Sequence, residues 1–337
     1  MIHPDFPLAL APMVGLSHVA LRRLILDYLP DTPQTFWPTE MLNSRRLPYQ
    51  DLGNTPETLR CDRDHNLVPQ LLANEEEFIY MSVQKLKDWG AAAIDINMGC
   101  PVKKALRHNY GVSLMGDISY AAQITKWAKQ ASALPVSVKV RAGIESDSIF
   151  LKDFLQALEA AGASWITIHP RLAKEKRRGL ADWKLVAKMK EHLGIPVIGN
   201  GDVQCFADID KMFEIANCDA VMIGRSLNAK PWLLRQWLES KGKAAVSDMD
   251  YSNPEWQAKE YGRSMLKLLT YLQDYYGEAL ALRKFRFHIR TNHMWLAYGH
   301  QLIGLVNKHK SIKELTSDWL RFFEQPLRMY ETTNLRY

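Results

Sequence analysis

Cysteine is scarce in this chain, with four among 337 residues, and the four are scattered. Cys61, Cys100, Cys205 and Cys218 form no CxxC pair and share no metal-ligand spacing with histidine, so neither a disulfide framework nor a metal site is indicated. Long apolar runs are missing too. None approaches the ~20 residues of a membrane-spanning helix, so no membrane partner is expected. The opening residues, Met1-Ile2-His3-Pro4-Asp5, carry neither a basic segment nor an apolar signal core, which points to the cytoplasm. Charge of one sign does not dominate strongly: 43 Lys and Arg against 37 Asp and Glu leave a net charge of +6. That balance permits a polyanionic partner without demanding one.

What is present is the composition of a folded protein, 47% hydrophobic and 24% charged. The length suits one large domain of roughly 250 residues and a smaller one. Short apolar or β-branched runs closed by polar or glycine-containing turns occur at 8–13, 35–41, 67–73, 92–99, 136–142, 165–170, 196–202 and 220–225. Between them, apolar residues recur at three and four over 75–89, 120–131, 150–161, 183–193 and 205–216, the period of amphipathic helices. Alternating β and α units imply a parallel sheet. An open doubly wound sheet is the competitor, but eight units in about 225 residues match a (β/α)8 TIM barrel. The expected domains are an α/β barrel over 1–246 and a helical bundle over 247–337.

Active sites in such barrels form where the strands end. Here most runs close on polar residues: Gln70, then Asn97 and Cys100, Lys139 and Arg141, His169 and Arg171, Asn200 and Asp202, Arg225. Singly, each has a structural explanation as a satisfied amide, an ion pair or a buried thiol. Together they are costly to satisfy at a face that does not carry the barrel's stability. Cys100, followed by Pro101 just beyond an apolar strand, sits where a side chain meets a pocket. The last two runs, Gly199-Asn200-Gly201-Asp202 and Ile223-Gly224-Arg225, provide small residues whose amides can approach an anion. Arg225 can add a charge-assisted bond, and this is the fold's usual phosphate position.

These residues resemble the bacterial tRNA-dihydrouridine synthases, flavin-dependent (β/α)8 enzymes that reduce a uridine in tRNA. The resemblance rests on Ala11-Pro12-Met13, Gln70, Asp95-Ile96-Asn97-Met98-Gly99-Cys100-Pro101, Tyr110-Gly111, Val136-Ser137-Val138-Lys139-Val140-Arg141, His169, Asn200-Gly201-Asp202 and 219–225. It implies that Ala11, Pro12, Met13, Gln70, Lys139, His169, Asn200, Gly201, Asp202, Gly224 and Arg225 hold FMN, and that NADPH reduces it. It further implies hydride transfer from N5 of the flavin to C6 of uracil and a proton from Cys100 to C5. Lys139 would steady the reduced ring. Asn97 would orient the base, and Arg141 would serve either base or flavin. The uridine, expected in the D-loop, would have to turn outward to be reached. The enzyme is expected to act as a monomer. Two departures from the family pattern stand out: His169-Pro170-Arg171-Leu172 in place of His-Gly-Arg-Thr, and Arg107-His108-Asn109-Tyr110-Gly111 in place of a more glycine-rich run.

Beyond residue 247 strands stop, and aromatic-rich amphipathic helices are expected over 256–276, 279–298 and 313–329. Within 283–290, three- and four-residue steps put Arg283, Arg286 and Arg290 on one face, beside Lys284, with Phe285 and Phe287 elsewhere around the helix. With an RNA substrate, this stripe, Arg171 and the basic cluster over 174–178 that holds Lys176 and Arg177 become candidate RNA contacts. Two other readings remain: a small-molecule FMN oxidoreductase of the dihydroorotate-dehydrogenase type, or an RNA-binding barrel without turnover.

Overall fold

The eight apolar runs form one parallel sheet in the computed structural model, which describes residues 2–31 and 34–334. Its strands are β1 (Leu8–Leu10), β2 (Trp37–Asn43), β3 (Leu67–Leu72), β4 (Ile94–Met98), β5 (Val136–Arg141), β6 (Trp165–His169), β7 (Val197–Asn200) and β8 (Ala220–Ile223). Spatial order follows chain order, and β1 closes onto β8 through the Leu8–Val221, Ala9–Met222 and Leu10–Ile223 pairs. The result is a (β/α)8 barrel. At the seam between β1 and β2, the Thr35 hydroxyl donates to the Phe6 carbonyl and accepts from the His3 amide. The first strand stops short of residue 13 because Pro12 has no amide to continue a ladder.

Strand periodicity sorts the barrel interior into layers. In β4 and its approach, Ala93, Asp95 and Asn97 follow one another up the inside, while Ile94, Ile96 and Met98 face the helices. Likewise Trp165 lies deep inside β6, packed against Phe36, while His169 ends the strand at the cavity. The interior is therefore an apolar plug at the amino-terminal end of the strands and polar at the carboxyl-terminal end.

Twelve helices surround and extend the barrel among the described residues. They are α1 (Val19–Tyr28), α2 (Glu76–Asp88), α3 (Lys103–Arg107), α4 (Ile118–Ala131), α5 (Ser148–Ala160), α6 (Trp183–Lys190), α7 (Phe206–Ala216), α8 (Arg225–Ala229), α9 (Leu233–Ser240), α10 (Pro254–Asn292), α11 (His300–Lys308) and α12 (Ile312–Phe322). Asp117, Asp147 and Asp182 cap α4, α5 and α6 by accepting hydrogen bonds from first-turn amides. The long α10 breaks at Gly277, whose φ of 70° interrupts the helix between the two segments read from sequence. Helix α1 is covered on both sides, by the barrel and by α10.

A buried histidine pair joins barrel to tail. His18 Nε2 and His288 Nε2 lie 2.9 Å apart, and His288 Nδ1 lies 2.5 Å from Asn228 Oδ1. Since an amide oxygen only accepts, His288 donates through Nδ1 and accepts from His18 through Nε2. A proton on His288 Nε2 would set hydrogen against hydrogen, a proton on His18 Nδ1 would be buried without an acceptor, and burial foremost pushes both rings below the usual histidine range, His288 to about 3. Above about pH 6.5 both rings are neutral, folded or unfolded. As pH falls below it, the unfolded chain gains protons that the folded chain refuses. Stability should therefore fall by up to ~1.4 kcal/mol per pH unit for each ring. Urea midpoints measured between about pH 6.5 and 4.5 should drop with acid, and His288→Gln should flatten that slope.

Candidate active site

Where the strands end, a cavity of ≈ 330 Å³ opens between the barrel loops and α10. Its floor is tied together by one hydrogen-bonded chain. The Ser137 hydroxyl donates to Asp95 Oδ1 (2.6 Å) and Gln70 Nε2 to Asp95 Oδ2 (2.6 Å), while Asn97 Nδ2 donates to Gln70 Oε1 (2.7 Å). Asn97 Oδ1 then accepts from the amides of Gly99 and Cys100, at 3.1 and 2.9 Å. Four side chains on three adjacent strands thus fix the turn that carries the thiol. Asp95 was quoted in the sequence only as part of the motif around Cys100. Its place becomes visible once register pairs it with Gln70 on β3 and Ser137 on β5. Burial foremost raises its pKa, against the hydrogen bonds from Ser137 and Gln70 and the charge of Lys139.

Cys100 lines this cavity and is held from behind by Gly111. At Gly111 φ is +64°, and a Cβ there would lie 2.5 Å from the Cys100 carbonyl oxygen and 3.0 Å from its Cβ. Only glycine fits without moving the thiol. Lys139 donates to Asn200 Oδ1 (2.9 Å), and Asn200 donates onward to the Met222 carbonyl (2.8 Å). Burial is the largest effect on this ammonium and lowers its pKa to about 8, with Asp95 opposing and Arg141 adding to the shift.

Arg141 lines the cavity and also braces the scaffold. Its guanidinium donates to the carbonyls of Gly99 (3.0 Å), Leu172 (3.2 Å) and Lys176 (3.0 Å), bracing the Cys100 turn against the loop after β6. Arg171 binds Asp202 at 2.6 Å and the Gly179 carbonyl at 2.7 Å, with its guanidinium almost wholly buried. Asp202, at φ 58°, also accepts from the Ala181 amide. The Pro170 and Leu172 departures therefore leave a loop anchored through Arg141, Arg171 and Asp202.

The remaining wall suits an anion. Ala11, Pro12, Met13, His169, Gly201, Asp202, Gly224 and Arg225 line it. Added Cβ atoms would reach His169 at 2.7 Å from Gly201, and Met13 Sδ at 3.4 Å from Gly224. Arg225 lies partly buried here, its pKa lowered to about 10 first by burial, then by repulsion from Arg177. His169 is held well below its ordinary range by burial, then by Lys139, Arg141, Arg171 and Arg225. A buried Arg171 Nε lacks a hydrogen-bond partner. Crowded cations, a neutral histidine and an orphaned donor make a site that an anionic ligand would satisfy.

Lys176 and Arg177 are exposed at the mouth. The tail stripe divides in two. Arg283 and Arg290 are exposed, but Arg286 turns inward and donates to the carbonyls of Val306 (2.9 Å) and His309 (2.7 Å). Lys284 lies 3.5 Å from Glu40 and over the Tyr276 ring. In its place Phe287, with Thr291, reaches the cavity wall.

A family model described as Dihydrouridine synthase (Dus) matches residues 9–319. A protein of Rhizobium leguminosarum bv. phaseoli, described as a "Probable tRNA-dihydrouridine synthase", is 32% identical over 283 residues, 83% of each chain. A Rickettsia bellii (strain RML369-C) protein of the same description is 30% identical over 306 residues, 88% of this chain and 89% of that one. Among solved structures, histamine dehydrogenase from Rhizobium sp. 4-9 shares the fold with a TM-score of 0.52 at 12% identity, over 80% of this chain and 50% of that chain.

Proposed function

This chain belongs to the dihydrouridine synthase family of flavin-dependent oxidoreductases, and we propose that it reduces the C5–C6 double bond of a D-loop uridine in tRNA, with FMN as cofactor and NADPH as reductant. The observation that carries this reading is the meeting of one thiol, Cys100, with Lys139, Arg225 and Arg177 around a single cavity in a chain of this family. In this reading 1–246 is the catalytic barrel, 247–337 binds tRNA, and the protein works as a cytoplasmic monomer.

Gly201, Asp202, Gly224 and Arg225 would hold the phosphate of FMN, with Ala11, Pro12, Met13, Gln70, His169 and Asn200 lining the rest. When bound, the flavin supplies the reducing equivalents for C6 of the pyrimidine. The protein's own part is the proton: Cys100 gives it from Sγ to C5 as a general acid. Asn97, its amide engaged with Gln70 and the Cys100 turn, acts on that proton by holding the thiol in place. Lys139, braced by Asn200, contributes fixed positive charge in a water-poor pocket. Exposed Lys176, Arg177, Arg283 and Arg290 contact phosphates and position the RNA.

Gly111→Ala should separate cofactor binding from proton delivery. It should retain the flavin yet lower the rate on tRNA by at least about tenfold, because a misplacement near 1 Å carries costs of that order or more. Bound flavin absorbance and initial rates check this. The reading itself is tested anaerobically. Protein reduced by NADPH should be reoxidised by tRNA lacking dihydrouridine and not by free pyrimidines; the reverse pattern identifies a small-molecule oxidoreductase.

A further inference from the structure

Among the described residues, Phe287 is the one aromatic ring besides His169 that lines the cavity holding Cys100, and it comes from α10 rather than from the barrel. Other large rings nearby in the tail are spent on its core: Phe285, Trp295 and Trp319 are fully buried. Phe287 instead keeps 41% exposure. One edge of it packs on the loop after β1, where a Cβ on Gly15 would lie 2.7 Å from Cε1. Around the same opening stand Val14 and Val102, 54% and 57% exposed. The rim thus pairs an apolar side, Val14, Val102 and Phe287, with the exposed cations Lys176 and Arg177.

Contrary to the expectation from sequence, Phe287 does not lie elsewhere around the helix: Arg283 and Arg290 precede and follow it by four and three residues, which places all three on one helical face, and both arginines are exposed. An exposed ring set in a cationic track is the arrangement that binds unpaired nucleotides: phosphates follow the charge, and a base of any identity stacks on the ring. An extruded nucleotide loses its own stacking and gains from a replacement surface at the pocket.

We propose that Phe287 is a stacking surface for a nucleobase of the RNA substrate at the mouth of the catalytic cavity, coupling placement of the helical region to delivery of the uridine. The inference rests on the tRNA-reducing function above. It makes Phe287 a substrate-positioning residue with no part in flavin reduction.

The test uses the full-length, flavin-loaded protein as wild type, Phe287→Ala, Phe287→Leu and Phe287→Trp. Two rates are measured: flavin reduction by NADPH without RNA, and reoxidation of the reduced protein by tRNA lacking dihydrouridine. Phe287→Ala should leave the first within about twofold and lower the second by roughly 5- to 150-fold, the range of one base–aromatic stack. Phe287→Trp should restore the second rate, while Phe287→Leu should not. Wild-type reoxidation by tRNA from Phe287→Ala would overturn the inference, as would rescue by Leu equal to rescue by Trp. Loss of flavin or a parallel fall in both rates across the variants would make Phe287 a packing residue and overturn it as well. If the wild type is not reoxidised by tRNA, the functional reading falls first; if only the variants behave as wild type, that reading stands and the stacking role falls.

Discussion

Cys100→Ala should lower the rate of tRNA reduction by about 10²- to 10⁴-fold, the range for loss of a positioned general acid. Flavin content and NADPH-driven flavin reduction should stay near wild type. The separation follows from the geometry. Cys100 lies on a turn held by Asn97, Gly111 and Arg141, whereas the proposed phosphate contacts lie after β7 and β8. Alanine removes the proton donor and leaves every one of those main-chain contacts in place. Single-turnover reoxidation by tRNA is the informative rate, because the proton is needed only there. A variant that is reoxidised at the wild-type rate would show that another group supplies the proton.

Lys139→Met should cost roughly 10²- to 10³-fold in the rate of tRNA reduction, the usual consequence of deleting one preorganised electrostatic contact in a water-poor site. Methionine retains most of the length and volume of the lysine stem. The loss therefore reports on the charge and on the 2.9 Å bond to Asn200 more than on packing. Asp95 sharpens the expectation. It is buried and bonded to Ser137 and Gln70, and Lys139 is the cation that favours its charged form. Without that cation Asp95 more readily takes up a proton, and the hydrogen-bonded chain reaching Cys100 through Gln70 and Asn97 is perturbed at its root. Rates with tRNA measured beside bound flavin, with Lys139→Arg as a charge-retaining control, check this.

Much of the site was legible because a parallel barrel places the ends of distant strands together, so polar closures such as Gln70, Lys139 and Asn200 can be collected from sequence. The motif around Cys100 then supplied the chemistry. What sequence could not show depends on register and on which helix face is covered. Asp95 gains its role only from being level with Gln70 and Ser137. Arg141 lines the cavity as its strand-end position suggests, but its bonds to three carbonyls, which brace the Cys100 turn, appear only in the fold. In the tail, a three-and-four spacing groups Arg286 with Arg283 and Arg290, but packing of α11 against α10 turns Arg286 inward and leaves Phe287 at the cavity.

The most direct measurement is to incubate the purified protein with tRNA lacking dihydrouridine, FMN and NADPH, then digest the RNA and map any nucleoside that has gained two hydrogens. The expected result is dihydrouridine at a defined position in the D-loop, dependent on NADPH and nearly absent with Cys100→Ala. A flavin-loaded protein that NADPH reduces, but that leaves every uridine of the tRNA unchanged, would contradict tRNA as its substrate.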